Sequence, residues 1–431
     1  MTKKGKIYIV VGGQWGSEAK GLFCSYLATH KPIDAAVRTG SVNAGHTVFY
    51  EGNEYKNQQI PVAWVNPNTH LVIGAGAYVH PEVLQNEIEM VEKATGKSLV
   101  NRLHIDIRAG LHSPEHKEAS KGRHERYGTV GEGVSAAICD RLRRQEGVKL
   151  FKDSPWAKKN KGIHFQFSDT VEMLNDLYDL GSSILVEGTQ GTLLDVYLGD
   201  YPYTTSRQTV ASSWLAECGL APNLSTEIAM VCRTYPIRVA GNSGPMPYET
   251  TWVALATEMN RKAKQHHMGS IVCPESLRKF ALAEKQLARA WKMPNPNMHL
   301  WPQARRDKYA AELSRIHKEA FSLLDEPTKA DLFRLFETTT VTKKLRRIAY
   351  MDYEALRYAC TINRPDYLVL NFLNYEFPTL YAYDLKHSPE RHDIDDSIKT
   401  LEEYTRTRVR YVNWRPNQMH EYQRPRNRKN Q

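Results

Sequence analysis

The chain has 431 residues and a formal net charge of +10, from 58 Lys and Arg against 48 Asp and Glu. That length holds one large α/β domain or two smaller ones, and a 41% hydrophobic content is ordinary for a globular protein. Composition argues against a membrane-spanning helix, a disulfide framework and a cysteine zinc site: no apolar stretch is long enough to cross a bilayer, and Cys24, Cys139, Cys218, Cys232, Cys273 and Cys360 form no C-x-x-C pair.

The scattered cysteines suit reduced thiols and point to a cytoplasmic protein. Met1-Thr2-Lys3-Lys4-Gly5 runs straight into the first predicted strand, which leaves no room for a signal peptide. The basic balance suits anionic ligands: a nucleotide, a triphosphate, a dicarboxylic acid or nucleic acid.

Ile7-Tyr8-Ile9-Val10-Val11 reads as a buried strand, and Leu22 to Leu27 has a helical pattern. Between them lies Gly12-Gly13-Gln14-Trp15-Gly16-Ser17-Glu18-Ala19-Lys20-Gly21. Strand, glycine-bearing loop, lysine and helix make a phosphate cradle, with backbone N–H groups and a helix N-terminus facing the anion. The Walker A spacing is absent. A lone glycine pair would more often be a plain turn, but Gln-Trp-Gly-x-Glu-x-Lys-Gly is far more specific.

A second strand is expected at Ala35-Ala36-Val37, followed by Asn43-Ala44-Gly45-His46-Thr47. Small residues there let backbone approach a ligand, and His46 can hydrogen-bond a phosphoryl oxygen or act as an acid. Further strands are expected at Leu71–Ile73, Leu103–Ile107, Ile184–Val186, Ile228–Cys232 and Tyr367–Leu370, with helices at Pro81–Lys93 and Thr170–Leu180 between them. The alternation predicts an α/β fold with a mostly parallel central sheet flanked by helices, and ligands at the carboxyl ends of its strands.

Tyr127-Gly128-Thr129-Val130-Gly131-Glu132-Gly133 is a glycine-rich loop with a hydroxyl, suited to an anion. Arg141, Arg143 and Arg144 follow on a predicted helix; by themselves they read as a solvated basic face. Glu187-Gly188-Thr189-Gln190-Gly191 closes a strand, and Tyr201-Pro202-Tyr203-Thr204-Thr205-Ser206 follows. Gln190 offers an amide to a purine edge and Thr205 a hydroxyl to a phosphate. Trp252 to Leu335 is rich in Lys, Arg, Glu, Ala and Leu at helical spacing, broken by Pro294-Asn295-Pro296. It reads as a helical insertion, a solvated subdomain or dimer contact. Val341-Thr342-Lys343-Lys344-Leu345-Arg346-Arg347 is a basic loop of the kind a dicarboxylate needs, since guanidinium groups hold carboxylates in a fork. Asn371-Phe372-Leu373-Asn374 ends the last clear strand, and Arg424 to Lys429 reads as a basic tail.

These motifs resemble the adenylosuccinate synthetase family, whose loop reads Gln-Trp-Gly-Asp-Glu-Gly-Lys-Gly. The family joins aspartate to C6 of a purine nucleotide, driven by hydrolysis of a nucleoside triphosphate. The resemblance implies a single large domain of the P-loop-related synthetase type with a helical insertion: 1–251 as the first part of the core, 252–335 as the insertion, 336–423 as the remainder and 424–431 as the tail.

The family's loop Asp is both catalytic base and magnesium ligand. Here Ser17 stands at that place and Ala19 replaces a Gly. Such an exchange resembles a bacteriophage branch, the 2-aminoadenylosuccinate synthetases, which act on dGMP and carry Ser there. The 2-amino group of guanine projects beside N1 and would crowd a carboxylate; a hydroxyl is smaller and accepts from that amine. A neutral hydroxyl is a poor base, which leaves Glu18, a water or the γ-phosphate to take the N1 proton.

The resemblance implies Ser17, Lys20 and His46 as the catalytic group, and Ser17 with the Gly45 carbonyl as ligands of Mg2+. It places Glu18, Asn43, Ala44, Thr129, Val130, Gln190 and Thr205 at the dGMP together with Ser17 and Lys20, and brings Arg144 to it across a homodimer. The loop from Gly16 through Ala19 to Gly21, with Gly45, His46, Thr47 and Arg346, would hold the triphosphate. Asn371, Phe372 and Asn374 would meet its base; Asn374 replaces an Asp that singles out guanine, so ATP or dATP is implied. Thr340, Val341, Thr342, Lys344, Arg346 and Arg347 would bind L-aspartate. Departures at Val130 and Glu132 leave Thr129 to take the phosphate.

Two other readings stand beside a dGMP ligase: an ordinary enzyme acting on IMP, and an inactive nucleotide- or nucleic-acid-binding relative. The intact His46, Gln190 and Thr205 motifs argue against the last. No membrane is expected as a partner, and the compartment would be host cytoplasm for a phage protein.

Overall fold

The computed structural model describes residues 5–120, 131–144, 147, 149–287, 302–339 and 344–424. They group into two compact units, one formed by the described residues within 1–124, 130–231 and 359–366, the other by those within 232–358 and 367–431.

The first unit is built on β1 (Lys6–Gly12), β2 (Ala35–Arg38), β5 (His70–Ile73), β6 (Leu103–Asp106), β7 (Gln166–Ser168), β8 (Ser183–Glu187) and residues 226–231 of β9 (Thr226–Arg233). They lie in the order β9-β1-β8-β2-β5-β6-β7, and every neighbouring pair is parallel. The hairpin β3 (His46–Tyr50) and β4 (Asn53–Asn57) stands apart from this sheet. Parallel strands are covered on both faces, so they read as near-continuous apolar runs. β2 and β8 are buried along their whole length. All the expected strands are present, each within two residues of its expected ends, and the mostly parallel α/β architecture is as expected.

Helix α1 (Lys20–His30) follows β1, and α2 (Pro81–Thr95) follows β5. Three more helices are α3 (Val134–Arg143), α4 (Thr170–Asp179) and α5 (Ala211–Cys218). Pro81 opens α2 at a position that needs no N–H, and Gly96 ends it in the left-handed region. Asp169 caps α4 by accepting from the N–H groups of Val171 and Glu172.

The second unit carries an antiparallel trio in the order β10 (Ile237–Arg238), β12 (Arg347–Ala349), β11 (Glu249–Thr250). β13 (Tyr367–Asn371) pairs parallel with β14 (Val409–Arg415), which pairs antiparallel with β15 (Gln418–Glu421). The stretch read as an insertion forms α6 (Trp252–Gln265), α7 (Pro274–Leu287), α8 (Gln303–Ser322) and α9 (Glu326–Leu332). Trp252, Leu255, Met259, Phe280, Leu332 and Phe336 bury a common core with Leu345 and Ile348. These helices, read as a solvated subdomain or dimer contact, share that core with the residues at and just before β12. Burial of each large side chain contributes about 2–3 kcal/mol.

Among the described residues, no helix is long and apolar enough to cross a membrane.

Candidate active site

In the first unit, the loop between β1 and α1 is coiled by positive φ angles at Gly16 (84°), Ser17 (61°) and Ala19 (68°). Successive residues near the left-handed region gather backbone N–H groups into a concavity that favours anions. No side chain caps α1, whose N-cap is Ala19. Its first N–H groups are therefore available to a phosphate. Ser17 is exposed on this loop, while Glu18 and Lys20 are buried.

Glu18 faces inward. Its Oε1 accepts from the backbone N–H groups of Gln14 (3.1 Å) and Gly16 (2.8 Å). Its Oε2 lies 2.6 Å from Lys20 Nζ. Glu18, expected at the nucleotide and as a candidate base, here fastens the loop and pairs the lysine through its side chain. The packing leaves no room for side chains here: a Cβ on Gly12 would lie 2.8 Å from Glu18 Oε2 and 2.9 Å from Lys20 Nζ.

His46 is the first residue of β3, and Gly21 permits its approach to α1, since a Cβ there would lie 2.7 Å from His46 Cβ. Arg38 and Glu187 end the neighbouring parallel strands β2 and β8, one step past the Val37–Val186 register pair. That is the edge where open α/β sheets bind ligands. Arg38 Nη1 and His46 Nδ1 both meet Glu187 Oε1, the latter at 2.6 Å, and Val62 N–H donates to Oε2 at 2.8 Å. Burial first, then the Arg38 charge, push the imidazole down to about 4, against the pull of Glu187. Burial alone would raise Glu187, but Arg38 and His46 outweigh it and hold the carboxyl below its usual range.

Asn43 and Ala44 are half-buried, and the Ala44 carbonyl accepts from Arg38 Nη2 at 2.7 Å. Gly45 is exposed and Thr47 half-buried. Gln190 sits at φ 62° in the turn after β8, and Thr205 is held by its N–H to the Leu194 carbonyl at 2.8 Å. Arg144 is exposed just past α3, in the left-handed region. Thr129 and Val130 lie outside the described residues. Ser17 and Gly45, the expected magnesium ligands, are both exposed residues, and a hydroxyl and a backbone carbonyl are the oxygen donors a hard cation takes. Among the described residues no group of three or more His, Cys, Asp or Glu could hold a metal. Such a set fits an ion carried chiefly by phosphate oxygens and water, the way Mg2+ is usually bound.

In the second unit, Phe372 takes φ 62° at the end of β13, and Thr234 Oγ1 donates to its carbonyl at 2.7 Å. The Arg233 guanidinium stands 4.1 Å from the Phe372 ring centre, and Arg233 also pairs with Glu337. Tyr375 Oη donates to the same Glu337 at 3.0 Å. Asn371 and Asn374 are buried beside Phe372. Phe372, expected at the nucleobase with Asn371 and Asn374, is thus backed by a charged and aromatic cluster.

Arg346 is half-buried, and its carbonyl accepts from the Trp252 indole at 2.7 Å. Arg347 is already forked onto Glu249, Nε and Nη2 each 2.7 Å from a carboxylate oxygen. Arg347, expected at L-aspartate, here ties β12 to β11. Lys344 is exposed, and its backbone closes on Thr339. Thr340, Val341 and Thr342 lie outside the described residues.

Sequence reasoning did not single out Arg38, Glu187, Arg233 and Glu337, which the structure places against candidate site residues or their neighbours. The available signal was a charged residue ending each of two apolar strands, Arg38 after Ala35-Ala36-Val37 and Glu187 after Ile184-Leu185-Val186.

The family described as adenylosuccinate synthetase matches residues 9–155 and 156–415. The adenylosuccinate synthetase of Thermococcus sibiricus is 37% identical over 247 residues, covering 56% of this chain and 69% of its own. That of Methanococcus maripaludis strain C5 is 39% identical over 248 residues, with the same coverages of 56% and 69%. Among solved structures, the succinoaminodeoxyadenylate synthetase of cyanophage S-2L, bound to dGMP and dATP, aligns with TM-score 0.66 at 23% identity, over 97% of this chain and 96% of its own. The Plasmodium falciparum adenylosuccinate synthetase aligns with TM-score 0.65 at 16% identity, over 96% and 99%.

Proposed function

The chain belongs to the adenylosuccinate synthetase family and is a ligase that forms a C–N bond, and from that premise we propose that it joins L-aspartate to C6 of dGMP, driven by ATP or dATP, giving N6-succino-2-amino-2′-deoxyadenylate. One observation carries this reading. Ser17 stands exposed where the family places a carboxylate, and the adjacent carboxylate, Glu18, is turned inward and bonded to its own loop. An exocyclic amine beside N1 then meets a hydroxyl acceptor rather than a bulkier anion. The fold shared with the cyanophage enzyme supports it.

In this reading the 6-oxygen of dGMP attacks the γ-phosphorus, and the amine of L-aspartate then attacks C6 and expels phosphate. The β1–α1 loop and the N-terminus of α1 bind and orient the phosphates, and His46 faces the charge that develops on them. Mg2+, which the family uses, would be held by Ser17 and the Gly45 carbonyl and would neutralise phosphate charge. With Glu18 committed to Lys20, the N1 proton passes to water or to the γ-phosphate. Gln190 offers its amide to the purine edge and Thr205 its hydroxyl to the 5′-phosphate. Lys344 and Arg346, with Thr340, Val341 and Thr342, hold the aspartate. Asn371, Phe372 and Asn374 take an adenine base, Asn374 both donating and accepting. Arg144 reaches the nucleotide of a second copy in a homodimer.

The names of the archaeal relatives favour IMP as a second reading of the substrate. Purified protein given L-aspartate, Mg2+ and ATP, with dGMP and IMP in parallel, separates the readings by phosphate release and adduct mass. A succino adduct of dGMP is expected. Adduct from IMP alone would establish the second reading, and no phosphate from either would mark an inactive relative.

A further inference from the structure

Phe372 holds a backbone conformation that its side chain disfavours. Its φ is 62° and its ψ 38°, at the entry to a short helical turn, Leu373–Glu376. Glycine or asparagine adopts this left-handed region most readily; a bulky aromatic there is an outlier. Such outliers persist where the surroundings over-determine them, and they gather at ligand sites. Here the Phe372 carbonyl accepts from Thr234 Oγ1 at 2.7 Å and from the Tyr375 N–H at 3.0 Å, and the Asn371 carbonyl accepts from the Thr234 N–H at 3.2 Å.

The ring is held as firmly as the backbone. The Arg233 guanidinium stands 4.1 Å from its centre, inside the range of a cation–π contact. The Tyr375 ring lies 5.4 Å away, tilted by 51°. Arg233 is fully buried and aimed by Glu337, with Nη2 on Oε1 and Nη1 3.3 Å from Oε2; Tyr375 Oη donates to the same Oε1 at 3.0 Å. Taking a guanidinium and its carboxylate out of water adds little net stability, so packing alone does not account for the pair. Phe372 itself is only partly buried, at the margin of the unit's core. A fixed, half-open ring backed by a guanidinium is a surface on which a planar base can stack.

We propose that Arg233 is a positioning residue, aimed by Glu337 and Tyr375, that locks the Phe372 ring as a stacking platform for the purine of the triphosphate. This role rests on the reading above that Asn371, Phe372 and Asn374 take the base. Stacking needs only a π-face, so the platform supplies affinity and makes no choice between adenine and guanine. That choice falls to the Asn374 amide, which can donate to and accept from the base edge. The two contributions are therefore separable.

Calorimetry of ligand binding with Mg2+ present tests this without turnover. Phe372→Leu is expected to weaken ATP and GTP alike, by about 5- to 100-fold, with the ratio of the two unchanged. Inorganic tripolyphosphate, which has no base, should bind as before. Arg233→Met combined with Glu337→Gln leaves no charge unpaired; it is expected to weaken both nucleotides about 3- to 10-fold and again to spare tripolyphosphate. Added to Phe372→Leu, that combination should cost no further ATP affinity, because it acts through the ring.

Unchanged ATP affinity in Arg233→Met/Glu337→Gln, an equal loss for tripolyphosphate, or full additivity with Phe372→Leu would overturn the platform while leaving the ligase reading in place. Failure of ATP and GTP to bind the unaltered chain would remove the base-site reading and the platform with it. Should tripolyphosphate bind too weakly to follow, additivity decides. Should the double substitution not fold, Arg233→Lys, which keeps the charge but not the flat guanidinium, is measured in its place with the same losses expected.

Discussion

At the scale of single residues, the phosphate loop separates two jobs that neighbouring side chains could have shared. Ser17 is exposed, and Glu18 is buried and occupied by two backbone N–H groups and Lys20. Removing one member of a buried ion pair leaves an uncompensated charge, which costs about 3–5 kcal/mol. Glu18→Ala is therefore expected to lower stability by about that amount, read from the urea midpoint, and to do so less when a nucleoside triphosphate is present to pair Lys20. A loss of activity with unchanged stability would instead make Glu18 the proton acceptor. Arg347 is likewise engaged, its fork lying on Glu249, so binding a dicarboxylate there would exchange one carboxylate partner for another.

At the scale of elements, the helices of 252–335 act on the basic loop through its ends. Trp252 opens α6 and donates to the Arg346 carbonyl, while Leu345 and Ile348 pack into the core of α6, α7 and α9. Trp252→Phe keeps most of the apolar volume and loses one hydrogen bond, a change of about 1 kcal/mol. The expected outcome is a several-fold rise in the KM for L-aspartate, with the KM for dGMP unmoved, measured by initial rates of phosphate release. Equal changes in both would mean that the insertion supports the unit only generally. The strands of the first unit were legible because burial on both faces writes an apolar run into the sequence. The register that joins Arg38 to Glu187 was not legible, since no local spacing reports a contact 149 residues away. The same distance hid Arg347 and Glu249, which are 98 residues apart. The β1–α1 loop was legible because its chemistry is carried by consecutive residues.

At the scale of the whole molecule, buried neutral histidines set the acid limit of stability. Burial first, then nearby positive charge, hold His46 at about 4, and burial first, then His80, hold His112 at about 4, against an ordinary value of 6.5. Between those values the unfolded chain binds protons that the folded chain refuses. Stability is therefore complete above about pH 6.5 and falls as pH drops toward about 4, by up to roughly 3 kcal/mol for each histidine. Urea midpoints at about pH 7 and about pH 5 are expected to differ in that direction, and His112→Gln is expected to flatten the slope. A midpoint that rises on acidification would contradict it. Family membership, read from the loop, the Asn43–Thr47 stretch and the Glu187–Gly191 stretch, extends across residues 9–415.

Substrate choice rests on a hydroxyl at position 17, and one comparison tests it most directly: the ratio of kcat/KM for dGMP to that for IMP, in the chain as it stands and in Ser17→Asp. The expected ratio favours dGMP in the former and falls by at least about 100-fold in the latter, as a carboxylate crowds the 2-amino group and serves IMP. An identical ratio in both proteins would contradict the claim.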